Sequence, residues 1–143
     1  MFRGVSAFPL TPLKNGTFDE QAFTHLLSPV VEAGVDSLGI LGSTGSYAYL
    51  TVEERARVTR CAVEHAGNIP VIVSIGAMRL DDILRLADDA QTAGVSGVLM
   101  APVSYQRLTD EEVFKLYETV TRPLSVPLCI YDNPATPGFA FSD

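Results

Sequence analysis

Apolar residues along the chain fall into five short runs, separated by longer amphipathic segments. The runs lie at residues 4–8, 37–41, 71–75, 95–100 and 126–131. They are rich in valine, isoleucine and leucine and lack strict polar alternation, which predicts strands buried on both faces of a parallel sheet. The segments between them predict helices over residues 18–33, 52–66, 80–93 and 110–121. Alternating strands and helices indicate an α/β fold.

The predicted helices carry recognisable start and stop signals. Three of them open with a Thr-x-x-Glu pattern that is typical of a capping box, at Thr17, Thr51 and Thr109. Glycines suited to the left-handed position after a helix follow the first three, at Gly34, Gly67 and Gly94. Pro123 limits the fourth helix, and Pro29 predicts a kink or a break within the first.

The spacing of the strands suggests a repeat. The last inward-facing residue of each predicted strand serves as a marker: Phe8, Leu41, Ile75, Met100 and Ile130. The markers lie about 30 residues apart on average, which is the size of one strand–helix unit. Five strands would complete an open doubly wound sheet, whereas an eight-unit barrel needs about 250 residues. A flavodoxin-like sheet predicts strand order 2-1-3-4-5, and a barrel predicts 1-2-3-4-5.

Composition removes several classes of protein. Apolar residues make up 47% of the 143 positions, so the chain is not disordered by composition. The chain has ten basic and seventeen acidic residues, which gives a net charge of -7, and no stretch forms a basic patch. We therefore expect no nucleic-acid partner and no membrane partner. No apolar run reaches the roughly 18 residues of a membrane helix, and the first residues lack the apolar core of a signal peptide.

Two cysteines stand far apart, Cys61 and Cys129, without metal-ligand spacing. We interpret them as buried free thiols of a protein in the reducing cytoplasm. No cluster of histidine, cysteine and carboxylate residues has the spacing of a metal site.

The loop after the second predicted strand, Gly42-Ser43-Thr44-Gly45, is the most informative segment. Glycines let backbone amides approach a ligand closely, and the two hydroxyls add donors, so a carboxylate or phosphate would fit. The alternative is an ordinary turn whose hydroxyls bond to their own backbone. The Gly-Lys-Ser/Thr ending of a nucleotide-binding P-loop is missing.

Four tyrosines follow predicted strands or the glycine loop. Tyr131 ends the fifth predicted strand, where its phenol would either relay a proton or cap the core with a solvated hydroxyl. Tyr105 lies in a polar loop beside Arg107, and its alternative is a surface turn. Tyr47 and Tyr49 would line a pocket or pack on a neighbouring subunit.

Taken together, these segments resemble the dihydrodipicolinate synthase / N-acetylneuraminate lyase family. The resemblance covers nearly the whole chain in order: the first strand with Thr11-Pro12, the Gly-x-x-Gly loop at 42–45, the Leu-Thr-x-Glu-Glu-Arg segment at 50–55, the fourth strand at 94–102, and Tyr131-Asp132-Asn133-Pro134. Ser46-Tyr47 departs from the family, which often has glutamate after the loop, and this leaves the specific substrate open.

This resemblance implies a (β/α)₈ barrel and a class I aldolase or lyase mechanism. In that family a lysine forms a Schiff base with a 2-oxo acid such as pyruvate, with no metal or organic cofactor. Gly42, Ser43, Thr44 and Gly45 would bind the carboxylate, Tyr131 and Thr44 would serve catalysis, and Tyr105 would match a tyrosine that reaches a neighbouring subunit's site. A homo-oligomer, dimer or tetramer, is expected.

The Schiff-base lysine of the family lies at the end of the sixth strand, one unit beyond Tyr131 and so past residue 143. Neither Lys14 nor Lys115 is placed to replace it. We therefore expect residues 1–143 to form the N-terminal part of a single barrel domain, from the first strand and helix through the fifth strand. A catalytically inactive half-barrel that self-associates is the alternative, beside the flavodoxin-like binding domain.

Overall fold

The computed structural model describes residues 3–135 and 137–142, so the ends of the predicted domain, 1–2 and 143, lie outside the described residues. Within these ranges there are seven strands: β1 (Ser6–Ala7), β2 (Leu13–Lys14), β3 (Thr17–Phe18), β4 (Ser37–Ile40), β5 (Val71–Ser74), β6 (Gly97–Met100) and β7 (Leu128–Ile130). The helices are α1 (Glu20–Glu32), α2 (Val52–His65), α3 (Leu80–Ala93) and α4 (Asp110–Thr121), with a 3₁₀ turn at Tyr47–Tyr49.

Five strands form one parallel sheet in the order β1-β4-β5-β6-β7. Each strand therefore pairs with the next strand of the repeat, which confirms the barrel order and excludes the flavodoxin-like order. Because each crossover leads to the adjacent strand with the same hand, the helices lie on one face of the sheet. Neighbouring helices pack in chain order, α1 on α2, α2 on α3 and α3 on α4.

The core lies between the sheet and these helices. Alternate strand residues point into it and are almost fully buried, among them Leu38, Ile40, Val73, Val98 and Met100. Two of the five predicted inward-facing markers are wrong: Phe8 is 43% exposed and Ile130 is 55% exposed. Phe8 instead lies across the opposite face of the sheet, where its ring occupies the space that a side chain at Gly39 would need.

Residues 13–18 form an antiparallel hairpin, β2 with β3, that sequence analysis did not predict. Asn15 and Gly16 at its tip both have positive φ, 52° and 80°, which is the geometry of the hairpin turn that an Asn-Gly pair favours. Thr17 therefore belongs to a strand, and its hydroxyl donates to the Lys14 carbonyl at 3.0 Å. The predicted capping box at Thr17 is wrong for this reason.

The other helix boundaries follow the predicted signals closely. Asp19 caps α1 by accepting from the Ala22 amide at 3.0 Å, and complete capping boxes begin α2 at Thr51 and α4 at Thr109. The glycines predicted at helix ends all have positive φ: Gly34, Gly67 and Gly94. The helix α1 continues through Pro29 without a break. Among the described residues, no helix is long and apolar enough to cross a membrane.

Candidate functional site

The loop after β4 has a shape that depends on its glycines. Leu41 and Ser46, at either side of it, both adopt left-handed backbone conformations with φ of 58° and 53°. A Cβ atom at Gly45 would lie 2.9 Å from the Leu41 Cα atom, so only glycine fits there. Non-glycine residues with positive φ are uncommon, and such conformations cluster at ligand sites. The loop is therefore a fixed structure rather than a loose connection.

This loop forms one side of a cavity of about 240 Å³ at the carboxyl ends of the strands. Four of the residues predicted to form the site line it, namely Gly42, Ser43, Thr44 and Tyr131. The remaining lining residues are Phe8, Tyr47, Ser74, Leu99 and Ala101. Gly45 is not among the lining residues, but it allows the close approach of the loop to Leu41. The cavity thus combines apolar walls with a few converging hydroxyl groups, which is the usual character of a small-molecule site.

Tyr131 is the centre of a small hydrogen-bond network in the cavity. Its phenol oxygen lies 3.5 Å from the Ser43 hydroxyl, and the Asn133 side-chain amide donates to it at 3.2 Å. These two contacts lower the pKa of Tyr131 below its ordinary value of 10, because both stabilise the phenolate. A phenol that is linked to a second hydroxyl and releases its proton more easily is suited to moving protons.

Arg55 lies beneath the site and is 3% exposed. Its two terminal nitrogens donate to the Ser74 and Gly76 carbonyls, each at 2.8 Å, and its guanidinium lies 5.1 Å from the centre of the Tyr47 ring. Burial lowers the pKa of Arg55 to about 10, and the nearby Tyr47 and Asp82 partly oppose that shift. The side chain therefore remains a buried cation at neutral pH and joins the end of β5 to Tyr47, two residues after the glycine loop.

Sequence reasoning missed Phe8, Ser74 and Arg55 as parts of this region. Phe8 directly follows β1 and Ser74 ends β5, so their position at the carboxyl edge was the available signal. Arg55 was noted only as the last residue of the Leu-Thr-x-Glu-Glu-Arg segment at 50–55 that carries part of the family resemblance. The polar contacts that make it important join it to carbonyls about twenty residues away, and no local pattern encodes such contacts.

Tyr105 does not line the cavity. Its side chain is 92% exposed, in the loop after β6, where the Ser104 hydroxyl donates to the Gln106 carbonyl. Its predicted catalytic role remains a prediction. Both lysines also lie away from the cavity: Lys14 is exposed in the hairpin, and Lys115 pairs with Glu111 at 2.7 Å on α4.

Comparison with known proteins gives a consistent result. The model of the dihydrodipicolinate synthetase family matches residues 1–142. The 4-hydroxy-tetrahydrodipicolinate synthase of Persephonella marina is 32% identical over 139 residues, which are 96% of this chain and 47% of that protein. The chain thus spans about half the length of the curated relatives it matches.

Solved structures agree with the sequence comparison. The dihydrodipicolinate synthase of Agrobacterium tumefaciens is 46% identical with a TM-score of 0.93, over 99% of this chain and 48% of that one. A prophage protein of the dihydrodipicolinic acid synthase family from E. coli K12, solved in complex with pyruvate, is 27% identical with a TM-score of 0.87, over 94% of this chain and 46% of that one. The parallel sheet described above is accordingly an incomplete (β/α)₈ barrel, and the chain belongs to the dihydrodipicolinate synthetase family.

Proposed function

We propose that this chain supplies the carboxylate-binding and proton-relay half of the site of a Schiff-base lyase or aldolase that acts on a 2-oxo acid such as pyruvate. The observation that carries the proposal is the hydrogen-bond network at the Tyr131 phenol, which joins Ser43 of the fixed glycine loop to the Asn133 side-chain amide. The pyruvate bound to the E. coli relative supports the choice of ligand class.

In the proposed site the substrate carboxylate accepts hydrogen bonds from the loop at 42–45, with the exposed Ser43 and Thr44 hydroxyls as donors. Charge-assisted hydrogen bonds to an anion are stronger than neutral ones. Tyr131 then supplies a proton to the 2-oxo group. When an amine adds to the carbonyl and water leaves, the departing oxygen must take up a proton, and we propose that the Tyr131 phenol delivers it through the Ser43 hydroxyl.

The amine that forms the Schiff base is proposed to lie outside these 143 residues. Lys115 is held by Glu111 on the surface of α4, and Lys14 is exposed in the hairpin. A homo-oligomeric state and the role of Tyr105 across a subunit interface remain predictions that rest on the family resemblance. A cytoplasmic location remains a prediction that rests on the two free cysteines, Cys61 and Cys129.

The test is borohydride reduction of the full-length protein that contains this chain, after incubation with pyruvate, followed by mass spectrometry. We expect one adduct, on a lysine other than Lys14 and Lys115, and no adduct on the 143-residue chain alone. Tyr131→Phe should slow adduct formation by about 100-fold, the lower end of the effect of a proton-transfer group. The matched control is Tyr49→Phe, because Tyr49 is 86% exposed and is not among the residues that line the cavity with Tyr131. An adduct on either named lysine would contradict the proposal.

The second candidate is a self-associating chain without catalysis. The outer strands β1 and β7 each have one unpaired edge, and Phe114 and Ile130 near β7 are 69% and 55% exposed. Open sheet edges and apolar patches promote association. Light scattering on the 143-residue chain distinguishes the two: a dimer or larger species supports this candidate, and a stable monomer at high concentration contradicts it.

A further inference from the structure

Tyr47 separates two cavities. Its ring lines the cavity of about 240 Å³ that holds Ser43 and Tyr131, and it also lines a neighbouring cavity of about 210 Å³ bounded by Val52 and Val103. Both cavities lie at the carboxyl edge of the sheet. The aromatic ring is therefore a partition between the proposed 2-oxo acid site and a second space behind it.

Tyr47 packs against the hydrophobic core, and its ring also rests on a buried cation. The Arg55 guanidinium lies 5.1 Å from the Tyr47 ring centre, within the range of a cation–π interaction. Arg55 cannot shift easily, because its two terminal nitrogens are fixed to the Ser74 and Gly76 carbonyls at 2.8 Å. A flat guanidinium with both ends bonded gives the ring a rigid base, which the point charge of a lysine would not reproduce.

The backbone around Tyr47 supports the same conclusion. Ser46, directly before it, adopts a left-handed conformation with φ of 53°, and its amide donates to the Ser43 carbonyl at 3.1 Å. The 3₁₀ turn that starts at Tyr47 is closed by the Leu50 amide, which donates to the Tyr47 carbonyl at 3.3 Å. The ring position is thus linked to the same loop that carries the carboxylate-binding hydroxyls.

We propose that Tyr47 is a specificity-determining residue that limits the chain length of the 2-oxo acid, and that Arg55 is the positioning residue that holds its ring. This inference rests on the proposed function. Pyruvate is small enough for the first cavity alone. Shortening Tyr47 joins the two cavities and opens space beside the apolar side chains of Val52 and Val103 for the extra methylene groups of a longer acid. Arg55 and Asp82 also line this second cavity.

The expected effect follows from the burial of those methylenes. Each buried methylene group raises affinity by about fourfold. For 2-oxopentanoate, which has two more methylenes than pyruvate, Tyr47→Ala should therefore improve the affinity ratio relative to pyruvate by about 15-fold. Tyr47→Phe keeps the ring and should leave this ratio within about twofold, because the partition depends on the ring and not on its hydroxyl.

The experiment measures the dissociation constants of pyruvate and 2-oxopentanoate by calorimetry on the full-length protein that contains this chain. Arg55→Lys should shift the ratio in the same direction as Tyr47→Ala. The matched control is Arg57→Lys, because Arg57 lies on the same helix and also faces an aromatic ring, at 5.8 Å from that of Phe18, but lines neither cavity. Thermal melts of each variant confirm that the compared proteins are folded.

The possible outcomes separate the two proposals. A ratio that shifts in Tyr47→Ala and Arg55→Lys but not in Tyr47→Phe and Arg57→Lys supports the inference. A ratio that stays unchanged in folded Tyr47→Ala protein, with both acids still bound, overturns the inference and leaves the proposed function standing. Wild-type protein that binds neither acid overturns the proposed function and this inference with it.

Discussion

The loops that follow β4 and β6 leave the same edge of the sheet, yet they are held in different ways. In the loop after β4, Gly45 backs closely against Leu41, and Tyr47 rests on the buried Arg55. In the loop after β6, the Tyr105 side chain is 92% exposed. The hydrogen bonds of that second loop are short-range, such as that from the Val103 amide to the Ala101 carbonyl at 2.9 Å.

This difference separates two kinds of candidate site residue. Groups on the first loop are already oriented, so they can bind a ligand without a further cost of ordering. Tyr105 on the second loop has no such support within the described part of the chain, so any catalytic role would require it to be placed by something more than its own loop. The sequence motifs favoured the first loop, but they did not show how either loop is supported.

The largest expected effect tests the support beneath the first loop. Arg55→Met should lower the free energy of unfolding by about 3 kcal/mol, because it leaves the Ser74 and Gly76 carbonyls without their buried donors. Arg107→Met, in the exposed loop after β6, should change it by less than about 0.5 kcal/mol. Urea unfolding of the two variants provides the measurement. Equal losses in both would mean that the two loops are not differently supported.

Loss of a helix cap should destabilise the chain less, and by the same amount after the β4 loop as after the β6 loop. The helix after each loop begins with a complete capping box, at Thr51 for α2 and at Thr109 for α4. Thr51→Ala and Thr109→Ala should each lower the free energy of unfolding by about 1 kcal/mol, because each removes one acceptor for a helix amide. Similar urea midpoints for the two variants would show that the two helix starts are equally stabilised, so that the difference between the regions lies in the loops before them. A loss confined to Thr51→Ala would contradict this.

Local signals account for most of what could be predicted from the sequence. The capping boxes at Thr51 and Thr109 depend on residues three positions apart, and the strand order follows from a regular repeat. The error at Thr17 has the same origin: a local Thr-x-x-Glu pattern competed with an Asn-Gly hairpin signal, and the hairpin determined the structure.

The candidate site was predictable only in part. The glycine loop and Tyr131 were found because they follow strands, and in parallel α/β folds the strand ends meet at one edge. The support that Arg55 gives to Tyr47 was not predictable, because the Arg55 contacts to Ser74 and Gly76 form only after β5 is placed beside β4. Similarly, Phe8 turns away from the core because Gly39 on the neighbouring strand leaves room for its ring.

The smallest expected effect concerns the pH dependence of the first region. Hydrogen bonds from Ser43 and Asn133 lower the pKa of Tyr131, so the folded chain gives up this proton at a lower pH than the unfolded chain does. Between those two pKa values the unfolded state binds more protons, and the free energy of unfolding therefore rises with pH in that window. The rise is small, because Tyr131 is partly exposed and solvent screens its contacts.

Carbon-13 NMR of chain labelled at the tyrosine Cζ position follows this titration directly, with Tyr131→Phe identifying the signal. In Ser43→Ala the pKa of Tyr131 should move back towards the ordinary value of 10, because the larger of its two stabilising contacts is lost. Ser104→Ala, in the loop after β6, is the matched control and should leave the pKa unchanged, because Ser104 bonds to Gln106 instead. A Tyr131 signal that titrates at or above the pKa of free tyrosine would remove the proton-relay argument and, with it, the main chemical distinction between the two loops.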